Sequence, residues 1–177
     1  MSGPRFPAGY ELRPGRPEDA AAIQELERDA DRRFNALLGP DWERGWEPSG
    51  REELAEAAAA GEIFVVLPPL GPLCGYLWLA ELEGQGHIEE LAVTRAEGRR
   101  GLGGLLVATA EAWAGRRGAR ALTLTTFSEV PWNGPWYARL GFAAFEPAPG
   151  SRLAGLLAEE RARFAAPRQA MRKRLES

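Results

Sequence analysis

Two hydrophobic periods alternate along the chain. Tyr10-Glu11-Leu12-Arg13 alternates polar and apolar positions like a short strand, and from Pro17-Glu18-Asp19 the spacing becomes helical, with Ala21, Ile23, Leu26 and Ala30 on one face. Residues 34–50 then carry Phe34, Leu37, Leu38, Trp42 and Trp46 among glycines and prolines, and Glu52 to Ala60 reads as a second helix stopped by Gly61. Ile63–Leu67 and Leu73–Leu82 are continuous apolar runs whose Pro/Gly-rich join can only be a turn or short loop, so an antiparallel hairpin is predicted. Gly84-Gln85-Gly86 is expected to turn into a third strand, His87–Val93, in which polar residues sit among apolar ones.

The second half changes rhythm. Leu102, Leu105, Leu106, Ala110 and Trp113 form one face of a helix over 101–117 that ends at Gly118, and Ala121–Thr125 is a strand after it. Strand, helix and strand make a βαβ unit, which requires a parallel pair. A helix over 132–140, a strand at Phe142–Phe145, a tail helix over 153–164 and a closing strand at Gln169–Arg172 complete the order. The predicted class is α/β, of three-layer α+β type: a mixed central sheet of six or seven strands with an antiparallel N-terminal half and helices flanking it. No repeat or linker interrupts the pattern, so one domain over 1–177, with its core at about 10–174, is expected.

Composition narrows the chemistry. The formal net charge of -3 lacks the clustered positive charge that phosphate-backbone binding needs, so a nucleic-acid partner is not expected. Lys173 is the only lysine; with arginine supplying nearly all the basic charge, only an arginine at a defined position beside a glycine turn counts as evidence for anion binding. Cys74 is the single cysteine, which excludes an internal disulfide and any multi-cysteine metal site, and its apolar surroundings mark it as core. His87, the lone histidine, has no partners for a zinc site, and no metal is expected. No segment reaches the ~18 apolar residues of a membrane span and the start lacks a secretory signal, so a cytoplasmic protein without a membrane partner is the expectation.

Arg99-Arg100-Gly101-Leu102-Gly103-Gly104 joins a strand to the start of the longest helix. Glycine lets a backbone approach a phosphate, the first helical N–H groups lack intrahelical partners, and the dipole adds partial positive charge. A dinucleotide fingerprint would need glycine where Leu106 stands and an acidic residue near Leu124–Thr126, and a P-loop would need Gly-Lys-Ser/Thr; neither is present. The competing structural explanation is a glycine turn that permits tight helix–strand packing.

Three segments in order resemble the GNAT superfamily of acyl-CoA-dependent N-acetyltransferases over nearly the whole chain. Leu91-Ala92-Val93 is similar to the end of its central strand, Gly98–Gly103 to its Gln/Arg-x-x-Gly-x-Gly/Ala loop, and Asn133–Phe142 to its Asn-x-x-x-Tyr-x-x-Leu-Gly-Phe segment. Pro131–Phe142 also resembles a bacterial subgroup with a Val-Pro-Trp-Asn run, a similarity that extends to Arg168–Arg172. The first loop position is Gly98 where the family has Gln or Arg, which leaves open whether Arg99 or Arg100 faces the phosphate.

The resemblance implies a fold whose parallel strands splay at the cofactor site, acetyl-CoA as co-substrate, and transfer of an acetyl group to a primary amine by direct attack in a ternary complex. It implies backbone contacts from Leu91, Ala92 and Val93 to the pantetheine and thioester, pyrophosphate binding by Arg99, Arg100, Gly101, Leu102, Gly103 and Gly104, and Tyr137 as the acid that protonates the leaving thiolate, against a packing role. Asn133 is a pantetheine or water contact by resemblance and equally a helix cap by position. By strand parity His87, Glu89, Leu91 and Val93 share one face and Ile88, Glu90 and Ala92 the other. Glu89 is the implied base and Glu90 the alternative, unless one of them serves only to pair a buried arginine; His87 reads rather as a surface or capping group. Asp31, Phe34, Trp42 and Trp46 are the implied acceptor lining, or a hydrophobic lid. A homodimer through the closing strands stays open. The second function class is a non-catalytic acyl-CoA sensor or interaction module of the same fold, and the third an unrelated phosphate-binding α/β protein.

Overall fold

The computed structural model describes residues 5–39, 42 and 46–176. Met1–Pro4 of the expected leaderless start, residues 40, 41 and 43–45 of the aromatic stretch, and Ser177 therefore lie outside the described residues. In order, the elements are β1 (Glu11–Pro14), α1 (Ala20–Asp31), α2 (Asn35–Leu38), α3 (Arg51–Ala59), β2 (Ile63–Leu67), β3 (Gly75–Leu82), β4 (Gln85–Val93), α4 (Leu102–Arg116), β5 (Ala121–Phe127), α5 (Gly134–Arg139), β6 (Ala143–Phe145), α6 (Arg152–Arg163) and β7 (Arg168–Arg174). The seven strands form one mixed sheet in the order β1-β2-β3-β4-β5-β7-β6, with β4 and β5 parallel at Gly86↔Leu122, His87↔Thr123 and Ile88↔Leu124. The α/β class, the antiparallel first half and the parallel pair are as the pattern predicts. Among the described residues no helix is long and apolar enough to cross a membrane.

The chain divides into two compact units: Met1–Arg33, Glu47–Leu79 and Glu89–Ala110 in the first, and Phe34–Trp46, Ala80–Ile88 and Glu111–Ser177 in the second. The first has a core of Ile23 and Leu26 from α1, Leu54 from α3, Ile63 and Val65 from β2, and Tyr76 from β3. Burying each such aliphatic side chain contributes about 1.5–3 kcal/mol. Ala20, not Ala21, takes the inward position at the start of α1, and the same face also buries the carboxylate of Glu27. That burial is tolerable because Glu27 accepts the Ser49 N–H at 2.8 Å, the Ser49 hydroxyl at 2.6 Å and the Tyr76 hydroxyl. One turn earlier, Gln24 Nε2 donates to the Ser49 carbonyl at 2.9 Å, so α1 grips Ser49 through all its polar groups.

In the second unit β5 pairs antiparallel with β7 along its whole length, β6 pairs with β7, and Leu82, Leu153, Leu157 and Ala170 pack under α6. The β3–β4 turn sits one residue earlier than expected. Glu83 (φ 54°) and Gly84 (φ 76°) both take the left-handed conformation that a two-residue primed hairpin turn needs, which leaves Gln85 and Gly86 in the strand. Glu83 Oε1 also accepts the Arg152 N–H at 3.1 Å. Helix α5 begins at Gly134 instead of Trp132, with a proline in its first turn.

Gly86 seats β4 against α4: a Cβ there would lie 2.6 Å from the Cβ of Ala114 and 3.1 Å from Leu122 Cδ1. Gly86→Ala is expected to destabilise the protein by about 1–3 kcal/mol through overpacking. Chemical denaturation measures it, and an unchanged midpoint would show that β4 and α4 can part at no cost.

Candidate active site

The end of β4 is held by α1 and the short helical turn after it. Arg33 Nη2 donates to the Val93 carbonyl at 2.7 Å and Arg33 Nε to the Ala30 carbonyl at 2.9 Å. Burial lowers the Arg33 pKa, with Asp31 and Asp29 opposing the shift. Just beyond the strand, Asp29 accepts the Arg95 backbone N–H at 2.8 Å and its guanidinium at 3.3 Å. Sequence reasoning missed Asp29 and Arg33 as partners of this strand end, since no local signal marks contacts across sixty residues.

Both strand glutamates are exposed, while His87, Ile88 and Ala92 are buried. Burial does not alternate along β4, because in an α/β sheet parity selects the face and both faces are covered. Glu90 Oε1 accepts the Leu91 N–H at 3.2 Å, one of the backbone groups the resemblance assigns to the cofactor. His87 is not a surface or capping group: it is 1% exposed, and its Nδ1 lies 2.8 Å from Thr123 Oγ1 on β5. Desolvation lowers its pKa to about 4, so at neutral pH the ring is uncharged. Cys74 is buried as expected, and burial raises its thiol pKa to about 11, far from a reactive thiolate.

The glycine loop contains two consecutive devices for aiming backbone N–H groups. Arg99 is exposed and left-handed (φ 62°), an uncommon state for a residue with a Cβ, and Gly101 follows at φ 79°. The first intrahelical bond of α4 runs from the Leu105 N–H to the Gly101 carbonyl at 3.2 Å, so the amides of Leu102, Gly103 and Gly104 precede the ladder. Arg100 is held by Glu97, Nε to Oε2 at 2.9 Å, and Glu97 also accepts the Tyr10 hydroxyl. Tight packing does not explain the glycines: a Cβ at Gly101 or Gly104 would meet no described atom within 4 Å. A helical glycine costs about 1 kcal/mol relative to alanine. At Gly104, as at Gly115 in the same helix and Gly155 in α6, nothing in the described packing requires one. The loop therefore presents amides that precede the helical ladder, with open space beside Gly101 and Gly104.

In the second unit, Gly134 fixes where α5 starts, since a Cβ there would lie 2.8 Å from the Ser128 carbonyl oxygen and 3.0 Å from that of Phe127. Tyr137, one turn on, is 7% exposed with its ring edge-on to Trp136 (4.8 Å) and Phe142 (5.5 Å). Asn133 occupies the position before the helix, yet its side chain makes no capping bond. Its Nδ2 donates to Thr126 Oγ1 at 2.9 Å, and its Oδ1 is buried without a partner among the described residues. Phe34, Trp42 and Trp46 come together in one aromatic cluster with Phe127, Val130 and Trp132. Asp31 lies near Arg33 in the first unit.

Comparison with known proteins follows the same lines. The family model described as "Acetyltransferase (GNAT) family" matches residues 23–142. Among solved structures, the fold is similar to N-acetylglutamate synthase from Neisseria gonorrhoeae complexed with coenzyme A and N-acetyl-glutamate (TM-score 0.73, 22% identity, 97% of this chain and 36% of that one). It is also similar to PaiA N-acetyltransferase from Thermoplasma acidophilum in complex with coenzyme A (0.72, 14%, 93% and 98%). A third is the ribosomal-protein-S18-alanine N-acetyltransferase from Escherichia coli (0.65, 16%, 95% and 95%). The chain thus spans about a third of the synthase and nearly all of the other two.

His87 generates a pH prediction. Neutral in the fold and titrating near 6.5 when unfolded, it gives the unfolded chain the greater proton uptake as pH falls. Its contribution is fully present above pH 6.5 and is lost on the way down to about 4, on the order of 3 kcal/mol. Denaturation of wild type and His87→Asn at pH 7.5 and 4.5 reads this; an equal gap between the two proteins at both pH values would refute it.

Proposed function

The chain belongs to the GNAT acetyltransferase family, and from that premise we propose that it transfers the acetyl group of acetyl-CoA to a primary amine in a ternary complex. The observation that carries the reading is the open space outside Gly101 and Gly104, beside the left-handed Arg99, at the start of α4. In this reading the amides of Leu102, Gly103 and Gly104 receive the pyrophosphate, and Arg99 supplies the side-chain charge, Arg100 being paired with Glu97. By the family resemblance, the pantetheine meets the backbone of Leu91, Ala92 and Val93, with Asn133 as a further contact. The reading takes residues 10–174 as one catalytic domain working in the cytoplasm.

The reaction needs three proton and charge events. The acceptor ammonium gives a proton to Glu89 through solvent, with Glu90 as the alternative base. The amine nitrogen attacks the thioester carbonyl carbon, and the oxyanion that forms accepts hydrogen bonds from the backbone N–H groups of Leu91 and Val93, which share one strand edge. For Leu91 to take part, the Glu90 carboxylate has to swing away. Collapse breaks the C–S bond, the thiolate takes the phenolic proton of Tyr137, the remaining excess proton on the nitrogen returns to the tyrosinate through solvent, and the products are the N-acetyl amine and CoA, with one proton released in all. Cys74, buried with its thiol protonated, supports direct transfer over an acyl-enzyme.

Isothermal titration with acetyl-CoA and a thiol-release assay over a panel of amines test the reading. Tyr137→Phe is expected to leave acetyl-CoA binding unchanged and lower kcat about a hundredfold, whereas equal kcat would reduce Tyr137 to a packing residue. Gly104→Leu should separate stability from binding, raising stability by about 1 kcal/mol through helix propensity while weakening acetyl-CoA at least about tenfold. Unchanged affinity in that variant, or no acetyl-CoA binding by wild type, sinks the assignment of this loop.

A further inference from the structure

Within the second unit lies a pocket of about 380 Å³ lined by Leu37, Leu38, Trp42, Phe127, Phe164 and the Ala165–Pro167 turn. We propose that this pocket takes the side chain of the acceptor, and that the acceptor is an α-amino amide or peptide amino terminus with an aromatic or bulky aliphatic side chain. The inference rests on the acetyltransferase reading and deepens it.

Three observations select this class. First, among the described residues that line the pocket none is ionisable, and an apolar cavity of roughly 150 Å³ already takes up benzene, so the space suits an aromatic side chain. Second, the charges stacked on its phenylalanines are cations. The Arg168 guanidinium lies 4.6 Å from the Phe127 ring and 5.2 Å from the Phe164 ring, and Arg163 lies 5.4 Å from Phe164. The Glu160 carboxylate nearby is already committed, accepting Thr125 Oγ1 at 2.9 Å and Arg168 Nε at 3.0 Å. A polyamine or aminoglycoside would meet guanidinium groups and no carboxylate among these residues.

Third, the same aromatic cluster contains a buried donor that lacks an acceptor. Trp132 stacks on Phe34 at 5.5 Å between centroids, and its Nε1 is buried with no hydrogen-bond partner among the described residues. An indole N–H can only donate, and buried polar groups are nearly always satisfied, so its partner is an acceptor outside the described residues. A carbonyl next to the reacting amine supplies one. Trp132 packs against the cluster that includes the pocket residues Trp42, Phe127 and Phe164, and it shortly precedes Tyr137 in the chain.

The experiment compares phenylalaninamide, phenethylamine, glycinamide and spermidine, by thiol release with acetyl-CoA and by ligand-observed NMR binding that does not depend on turnover. Wild type and Ala165→Trp are both used; Ala165 is exposed at the pocket, so the variant fills the space without disturbing the core. Phenylalaninamide is expected to exceed glycinamide and spermidine by roughly tenfold or more in kcat/KM, phenethylamine to fall between, and Ala165→Trp to remove the preference while acetyl-CoA binding persists. Acetyl-CoA binding with spermidine or glycinamide preferred, or an unaltered preference in Ala165→Trp, overturns the inference and leaves the acetyltransferase reading standing. If acetyl-CoA does not bind, that reading falls, and the NMR arm still decides the pocket: phenylalaninamide binding lost in Ala165→Trp supports it, and no binding overturns it.

Discussion

Three residues of β4, Gly86–Ile88, lie in parallel register on Leu122–Leu124 of β5, and the candidate chemistry depends on that short pairing. A parallel pair cannot be closed by a tight turn, so the chain must leave β4 and return through a crossover helix. That requirement puts the N-terminus of α4 directly after a strand end, which is where unpaired amides and dipole can meet a phosphate. The pairing is held by groups with no freedom to vary: Gly86, with no room for a Cβ against Ala114, and His87, sealed at 1% exposure with its Nδ1 on Thr123. The sole histidine thus supports the sheet.

Around this pairing the structure separates rigidity from openness. The carboxylate of Glu27, buried under three donors, and the grip of Gln24 on Ser49 are closed polar arrangements that satisfy themselves. The loop at Arg99–Gly104 and the start of α5 leave groups unfinished: open space outside two glycines, a left-handed arginine, and Asn133 Oδ1 and Trp132 Nε1 without partners among the described residues. Polar satisfaction elsewhere is what makes these exceptions informative, because a folded chain rarely leaves a buried donor or acceptor idle without a ligand to meet it.

Much of this was legible beforehand, and the misses have physical causes. The seven strands, the parallel pair and the helix behind the glycine loop follow from local periodicity, which a chain displays in its own sequence. The β3–β4 turn moved by one residue because Glu83 accepts a left-handed conformation that composition alone would reserve for glycine. The inward face of α1 shifted from Ala21 to Ala20 and took in Glu27, since Ser49 and Tyr76 supply donors that no helical wheel can display. His87 read as a surface group because its partner is thirty-six residues away.

By itself, the sequence determined the α/β class, the order of elements, the glycine loop at a strand-to-helix junction and the family motifs, all of which are encoded in neighbouring residues. Only the tertiary structure decided that Glu97 pairs with Arg100, that Glu90 accepts the Leu91 amide, that His87 is neutral, and that Phe34, Trp42 and Trp46 share one cluster. The reason is the range of the forces involved. Propensity and periodicity act over a few residues, whereas desolvation and charge pairing are set by whatever the folded chain brings into contact.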